Sequence, residues 1–316
     1  MTSPASLQPS AGQTAGVAYS LAASVLFAVL YYYGSLLAPM SGEEIFGWRI
    51  MLTVPPAVLF LLLARRGDEV LAVLRRMRRE PLLWIGLPAS SALLGLQQWL
   101  FMWAPVNGYA MDVSLGYFLL PLTLAATSRL VFREPISRMQ TIACGVAAIG
   151  VACEIALSPS IAWPAFVVCL AYPVYYVLRR ALRTNTQGGM LIDMVLSAPA
   201  GLIFVLAQPG PPIVTDLYWV ALVLGLGLLG ATGLGLMIAS SQKLSLTLFG
   251  LLSYVEPILL VLVALVLGER IEGAQWLTYG AIWLAVALLA WEGLDVLRRG
   301  GQARRQATAT EAGGPI

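Results

Sequence analysis

One carboxyl group stands alone in the middle of an apolar stretch: Glu256, within 246–267 and directly before Pro257. A charge at the centre of a bilayer costs about 2.5–3.5 kcal/mol on insertion scales. A carboxyl group taken out of water prefers its neutral form, so its natural chemistry there is to take up and release a proton. Glu256 is therefore the candidate proton-coupling residue; the plainer alternative is a carboxyl hydrogen-bonded to a neighbouring helix. Arg49, five residues into an apolar stretch at 44–64, offers a planar fork that suits a substrate carboxylate. It could equally snorkel to the interface or pair with Glu43 or Glu44. Gln98 and Trp99, with Tyr117 and Tyr254 on other segments, have the make-up of a small-molecule pocket, aromatic walls with a few polar contacts. Trp103 shares a helix face with Trp99, but so near a segment end it reads as an interfacial belt residue, as do Tyr31, Tyr32 and Tyr33. Pro121 and Pro257 sit near the centres of their segments, where a missing backbone donor frees carbonyls and makes a hinge.

These residues are carried by about ten apolar stretches, each close to the length a bilayer core demands. They fall at 16–36, 44–64, 81–103, 110–132, 139–155, 161–179, 190–207, 215–240, 246–267 and 273–294. The composition agrees: 59% hydrophobic and 11% charged residues, with a mean hydropathy of +0.81, far from soluble proteins. Basic residues crowd into alternate gaps. Arg65, Arg66, Arg75, Arg76, Arg78 and Arg79 occupy the second, Arg129, Arg133 and Arg138 the fourth, Arg179, Arg180 and Arg183 the sixth, and Lys243 the eighth. Arg298, Arg299, Arg304 and Arg305 follow the last stretch, and only Arg49 and Arg270 depart from the pattern. Basic loops stay cytoplasmic, so the pattern predicts a multi-pass inner-membrane protein with both termini inside.

The two halves match each other. Tyr31 and Tyr32 align with Tyr175 and Tyr176, Pro55 with Pro199, Trp84 with Trp219, Gly95 with Gly230 and Glu134 with Glu269. Five helices per half is an odd number, so the second half enters the membrane from the opposite side. Such inverted repeats typify secondary transporters, which hold substrate near the midplane where the repeats meet. The expected fold is an all-α membrane protein of ten transmembrane helices in two inverted five-helix repeats. The expected divisions are a cytoplasmic tail at 1–15, repeats at 16–155 and 161–294, and a second cytoplasmic tail at 295–316.

Several classes are disfavoured. The chain has no His and only three scattered Cys, Cys144, Cys153 and Cys169, so no metal ligand set and no Cys–His pair is expected. The net charge of +3 is no nucleic-acid signature, and no phosphate-binding Gly-Lys-Ser/Thr loop is present. A membrane-embedded enzyme would need a clustered acid–base constellation, and a passive channel a continuous polar stripe. The expected partners are a small-molecule substrate and the lipid bilayer, without cofactor or nucleic acid; oligomeric state is left open.

The stretch from Trp99 to Pro121, WLFMWAPVNGYAMDVSLGYFLLP, resembles the RarD family of the drug/metabolite transporter superfamily, also called EamA-type permeases. So do EEIFGWRI at 43–50, FREPISRMQ at 132–140 and GGMLIDMVL at 188–196. The resemblance spans nearly the whole chain. It implies ten helices in two inverted repeats and a permease or exporter of a small amphipathic metabolite or drug working by alternating access.

Overall fold

A computed structural model describes residues 11–133, 137–157, 162–207, 216–244, 246–271, 273 and 275–292. The described residues form helices joined by short connections. These are α1 (Ala11–Leu36), α2 (Gly42–Leu63), α3 (Gly67–Met77), α4 (Leu82–Asn107), α5 (Ala110–Val131), α6 (Arg138–Leu157), α7 (Trp163–Ala181), α8 (Gln187–Ala207), α9 (Leu217–Ser241), α10 (Leu246–Leu252) and α11 (Val255–Val266), with α12 at 275–292. Among the described residues six spans are long and apolar enough to cross a membrane: most of α1, then α2, α5, α8, α9 and the run Leu248–Val266. The protein is thus an all-α, multi-pass membrane protein. The expected 1–15 and 295–316 tails lie largely outside the described residues.

Helix ends follow local chemistry. Ser41 opens α2 by accepting from the Glu44 amide at 3.2 Å, and Glu43 and Glu44 in the first turn complement the positive end of the helix. Three helices end on an arginine in the left-handed region: α2 before Arg65 (φ 55°), α5 before Arg133 (φ 56°) and α7 before Arg183 (φ 53°). The Arg66 amide then reaches back to the Leu61 carbonyl and the Thr184 amide to that of Arg179, closing the last turn. At α4 and α11 the same left-handed position is filled by Gly108 and Gly268. Arginines thus mark helix C-termini at one end of the bundle, where their charge suits the dipole.

The connections gather by parity. The second and sixth gaps meet where Arg76 donates to the carbonyls of Leu182 and Arg183, at 2.9 and 3.1 Å, and where the Gly188 amide donates to Glu69 at 2.8 Å. Phe132 brings the fourth gap in beneath the guanidinium of Arg180. At the other end, Trp103, Tyr109 and Trp163 cluster. One element of the arginine end was not expected: the gap at 64–80 contains the helix α3. Its Val70, Val73 and Met77 pack on Leu83, Leu87, Leu178, Leu182 and Ile192, while Leu71, Leu74 and Arg75 face outward. The belt reading of Tyr31 is also overturned. It is fully buried and donates to the Ala110 carbonyl at 3.0 Å, because α1 turns it into the bundle rather than toward lipid.

Near the arginine end, α7 and α8 are joined by an ion pair, Arg179 Nη1 to Asp193 Oδ2 at 3.3 Å, with both side chains buried. Ser90 of α4 donates to Asp193 Oδ1 at 2.5 Å, Tyr175 donates to Oδ2 at 3.1 Å, and Arg179 Nη2 holds the carbonyls of Thr184 and Thr186. Removing one partner strands a buried charge, at a cost of about 3–5 kcal/mol. Asp193→Ala is expected to lower the melting temperature of the purified protein by several degrees, with Asp193→Asn intermediate. An unchanged melting curve for the Ala variant would contradict this account.

Candidate functional site

A cavity of about 1270 Å³ penetrates the bundle. Its mouth lies at the arginine end, among Arg66, Glu69, Asn185, Thr186 and Gln187; its depth is walled by Arg49, Gln98, Phe101, Tyr117, Tyr172 and Glu256. Every site residue expected from the sequence lines it except Trp99: Arg49 from α2, Gln98 from α4, Tyr117 and Pro121 from α5, and Tyr254, Glu256 and Pro257 from the α10–α11 region. Trp99 stands apart. Its indole donates to Glu43 at 3.3 Å and packs on Trp103 with ring centroids 5.4 Å apart.

The backbone at the site is interrupted where the prolines predict it. Pro121 leaves the Tyr117 carbonyl without its helical donor, and Pro257 does the same to Ser253. In the second case the helix breaks, with Ser253 and Tyr254 separating α10 from α11. Polar backbone at membrane depth is tolerated where it lines a cavity, and Tyr117, Ser253 and Tyr254 all do.

The guanidinium of Arg49 lies 5.2 Å from the centroid of the Phe101 ring. Its Nη1 has no hydrogen-bond partner, and it forms no ion pair within 4.0 Å among the described residues. It lies close to the hydroxyls of Tyr117 and Tyr172 and to the carboxyl group of Glu256. The Tyr117 and Tyr172 hydroxyls are 3.4 Å apart. Gln97, beside Gln98, also lines the cavity and donates to the carbonyls of Val167 and Val168, at 3.1 and 3.3 Å. Tyr172 and Thr53, not among the expected site residues, also line the cavity. Tyr172 carried a signal, a ring one helical turn from both Tyr175 and Tyr176 in an apolar stretch; Thr53 carried none.

The far end is closed. Trp103 stacks on Tyr109 at 5.2 Å and 21° and meets Trp163 at 5.5 Å. Beside them the Glu269 carboxylate accepts from the first two amides of α5, Ala110 at 2.7 Å and Met111 at 2.6 Å. This is an N-terminal cap supplied from a connection far along the chain. Burial pushes the Glu269 carboxyl above its usual range, and the two amide donors pull it back.

No family profile matches the chain, but whole-length relatives are informative. It is 37% identical over 286 residues to an uncharacterized transporter of Pasteurella multocida, covering 90% of this chain and 98% of that one. It is 38% identical over 294 residues to the chloramphenicol-sensitive protein RarD of Pseudomonas aeruginosa, covering 92% and 97%. The chain belongs to the RarD family. Its relatives carry the names of transporters, and with its membrane-crossing helices it is a membrane transporter rather than an enzyme. The Escherichia coli RarD protein lies further off, at 25% identity over 293 residues. A solved crystal structure with 18% sequence identity shares the fold, with a TM-score of 0.54 over 88% of this chain and 98% of the other. The RarD-like SLGYF stretch has a physical role. A side chain at Gly116 would collide with Ala165 and Val168 of α7, so glycine there lets α5 and α7 approach closely. That approach sets Tyr117 of α5 opposite Tyr172 of α7.

Proposed function

We propose that this RarD-family protein is a secondary transporter of the inner membrane that moves a small amphipathic metabolite or drug by alternating access. The single observation that carries this reading is a deep cavity holding Arg49 and Glu256, open at the arginine end and closed at the other. Under the positive-inside rule the arginine end is cytoplasmic, both termini are inside, and the conformation is inward-open. The closed far end argues against a passive channel.

Ten crossings in two inverted repeats, 16–155 and 161–294, complete the proposal. Its support is the packing. Exchanging α1, α2, α4 and α5 with α7, α8, α9 and α10–α11 turns the α1–α9 contact into α4–α7, α5–α7 into α1–α11 and α2–α9 into α4–α8. It leaves α2–α8 and α5–α11 as they are, and all of these contacts are present. Substrate would be bound by Arg49, Gln98, Tyr117, Tyr254 and Glu256, with Pro121 and Pro257 as hinges and Glu256 carrying a coupling proton.

Single cysteines test the cycle after Cys144, Cys153 and Cys169 are replaced. With an impermeant maleimide, Arg75→Cys should label only from the cytoplasm. Met190→Cys, inside the cavity, should label fast from the cytoplasm and slowly from outside, at a rate that substrate alters. Equal labelling of Met190→Cys from both faces would indicate a channel, and labelling of Arg75→Cys from outside would overturn the orientation.

A further inference from the structure

We propose that the cavity takes an organic anion, a carboxylate on an amphipathic body, and that each anion enters together with one proton. This deepens the transport reading and rests on it. The starting point is charge balance. At the mouth Arg66 lies 3.8 Å from Glu69 and Arg179 is paired with Asp193, so both cations there have a carboxylate partner, while Glu292 adds a further carboxyl group to the lining. In the depth Arg49 has no ion-pair partner within 4.0 Å among the described residues, and one of its nitrogens has no acceptor at all. A guanidinium cannot shed its proton to escape this, and charges at membrane depth pair with one another or mark a substrate path. The missing acceptor is supplied by a ligand. Its class follows from the wall: a planar fork prefers a carboxylate, while Phe101, Tyr117 and Tyr172 offer rings to an apolar body.

Proton entry follows from the same balance. The charged or titratable groups around Glu256 are Arg49 of α2, Tyr117 of α5 and Tyr172 of α7. Tyr254, two residues earlier, faces Cys144 and Glu292 instead, and from α1 Tyr31 is turned away to Ala110. Among these groups Glu256 is the one carboxyl able to offset Arg49. Once a carboxylate sits on Arg49 that role is taken, and an ionised Glu256 becomes a second, unbalanced negative charge. It is relieved by binding a proton from solvent, so that anion and proton cross as a neutral pair. A cationic substrate would do the reverse and displace the proton.

The test uses purified full-length protein and three probes of one shape: phenylpropionate, its neutral amide and phenylpropylamine. Tryptophan fluorescence reports binding, and a pH indicator in weakly buffered detergent reports proton uptake. Phenylpropionate should bind with uptake of close to one proton at a pH where Glu256 is ionised, and the amide and amine should bind far more weakly. Arg49→Gln should weaken phenylpropionate about ten- to hundredfold, as loss of a charge-assisted contact does, while Arg49→Lys recovers part of it. Equal binding of the amide, preference for the amine, carboxylate affinity unchanged in Arg49→Gln, no binding of phenylpropionate, or binding without proton uptake would each overturn the proposal. Those outcomes leave the cysteine-labelling test of alternating access standing. Conversely, binding with proton uptake but equal access from both faces would retain the anion subsite and remove the transport cycle.

Discussion

Glu256→Gln is expected to keep the fold and substrate binding while flattening the pH dependence of transport. The amide matches the carboxyl in size and mimics its protonated form, so Arg49, Tyr117 and Tyr172 keep the same neighbour. What is lost is the ability to exchange a proton with whichever side the cavity faces. In the wild type a single titrating group changes the loaded fraction by at most about tenfold per pH unit on the side where it is mostly ionised. Protonation is favoured as pH falls, so acid on the uptake side should accelerate the wild type and an opposing gradient should slow it. The Gln variant should respond to neither. Uptake into proteoliposomes under imposed proton gradients decides the matter. Wild-type pH dependence in the variant would make Glu256 a structural hydrogen-bonding group and place coupling elsewhere.

The helices were legible because each bilayer-length apolar stretch leaves little freedom. The expected 110–132 and 246–267 appear as α5 (Ala110–Val131) and α10–α11 (Leu246–Val266). The polar residues of the cavity were legible for the opposite reason, since Arg49, Gln98 and Glu256 are costly where they stand and so announce a purpose. The helix α3 was hidden by its arginines. Its signal, Val70, Val73 and Met77 on one face, is an apolar stripe at helical spacing that charge density outweighed. Trp99 was misleading because sequence gives a residue's depth but not the direction of its side chain. From a position level with the pocket it turns to Glu43. The Arg179–Asp193 network was out of reach, since nothing in either segment announces which charges will meet across helices.

Removing Glu269 is expected to shift the protein toward its outward-open form. The closed end depends on two short bonds from the Ala110 and Met111 amides to this carboxylate, flanked by the Tyr31 and Tyr279 hydroxyls on the carbonyls of the same two residues. Hydrogen bonds to a charged acceptor contribute about 1.5–3 kcal/mol each, and at the first turn of a helix the carboxylate also meets the dipole. These contacts exist only while α5 and the connection after α11 are together, so they act on the balance between conformations and not on affinity in either one. With Glu269→Ala, a cysteine at Gln98 should label from the extracytoplasmic side about tenfold faster or more, and more slowly from the arginine end. Glu269→Gln, which keeps one acceptor, should lie between. The opposite signs of the two rates are the decisive feature, because a merely loosened fold would speed labelling from both sides. Unchanged rates, or a rise on both sides, would show that the aromatic stack of Trp103, Tyr109 and Trp163 holds this end closed without the carboxylate.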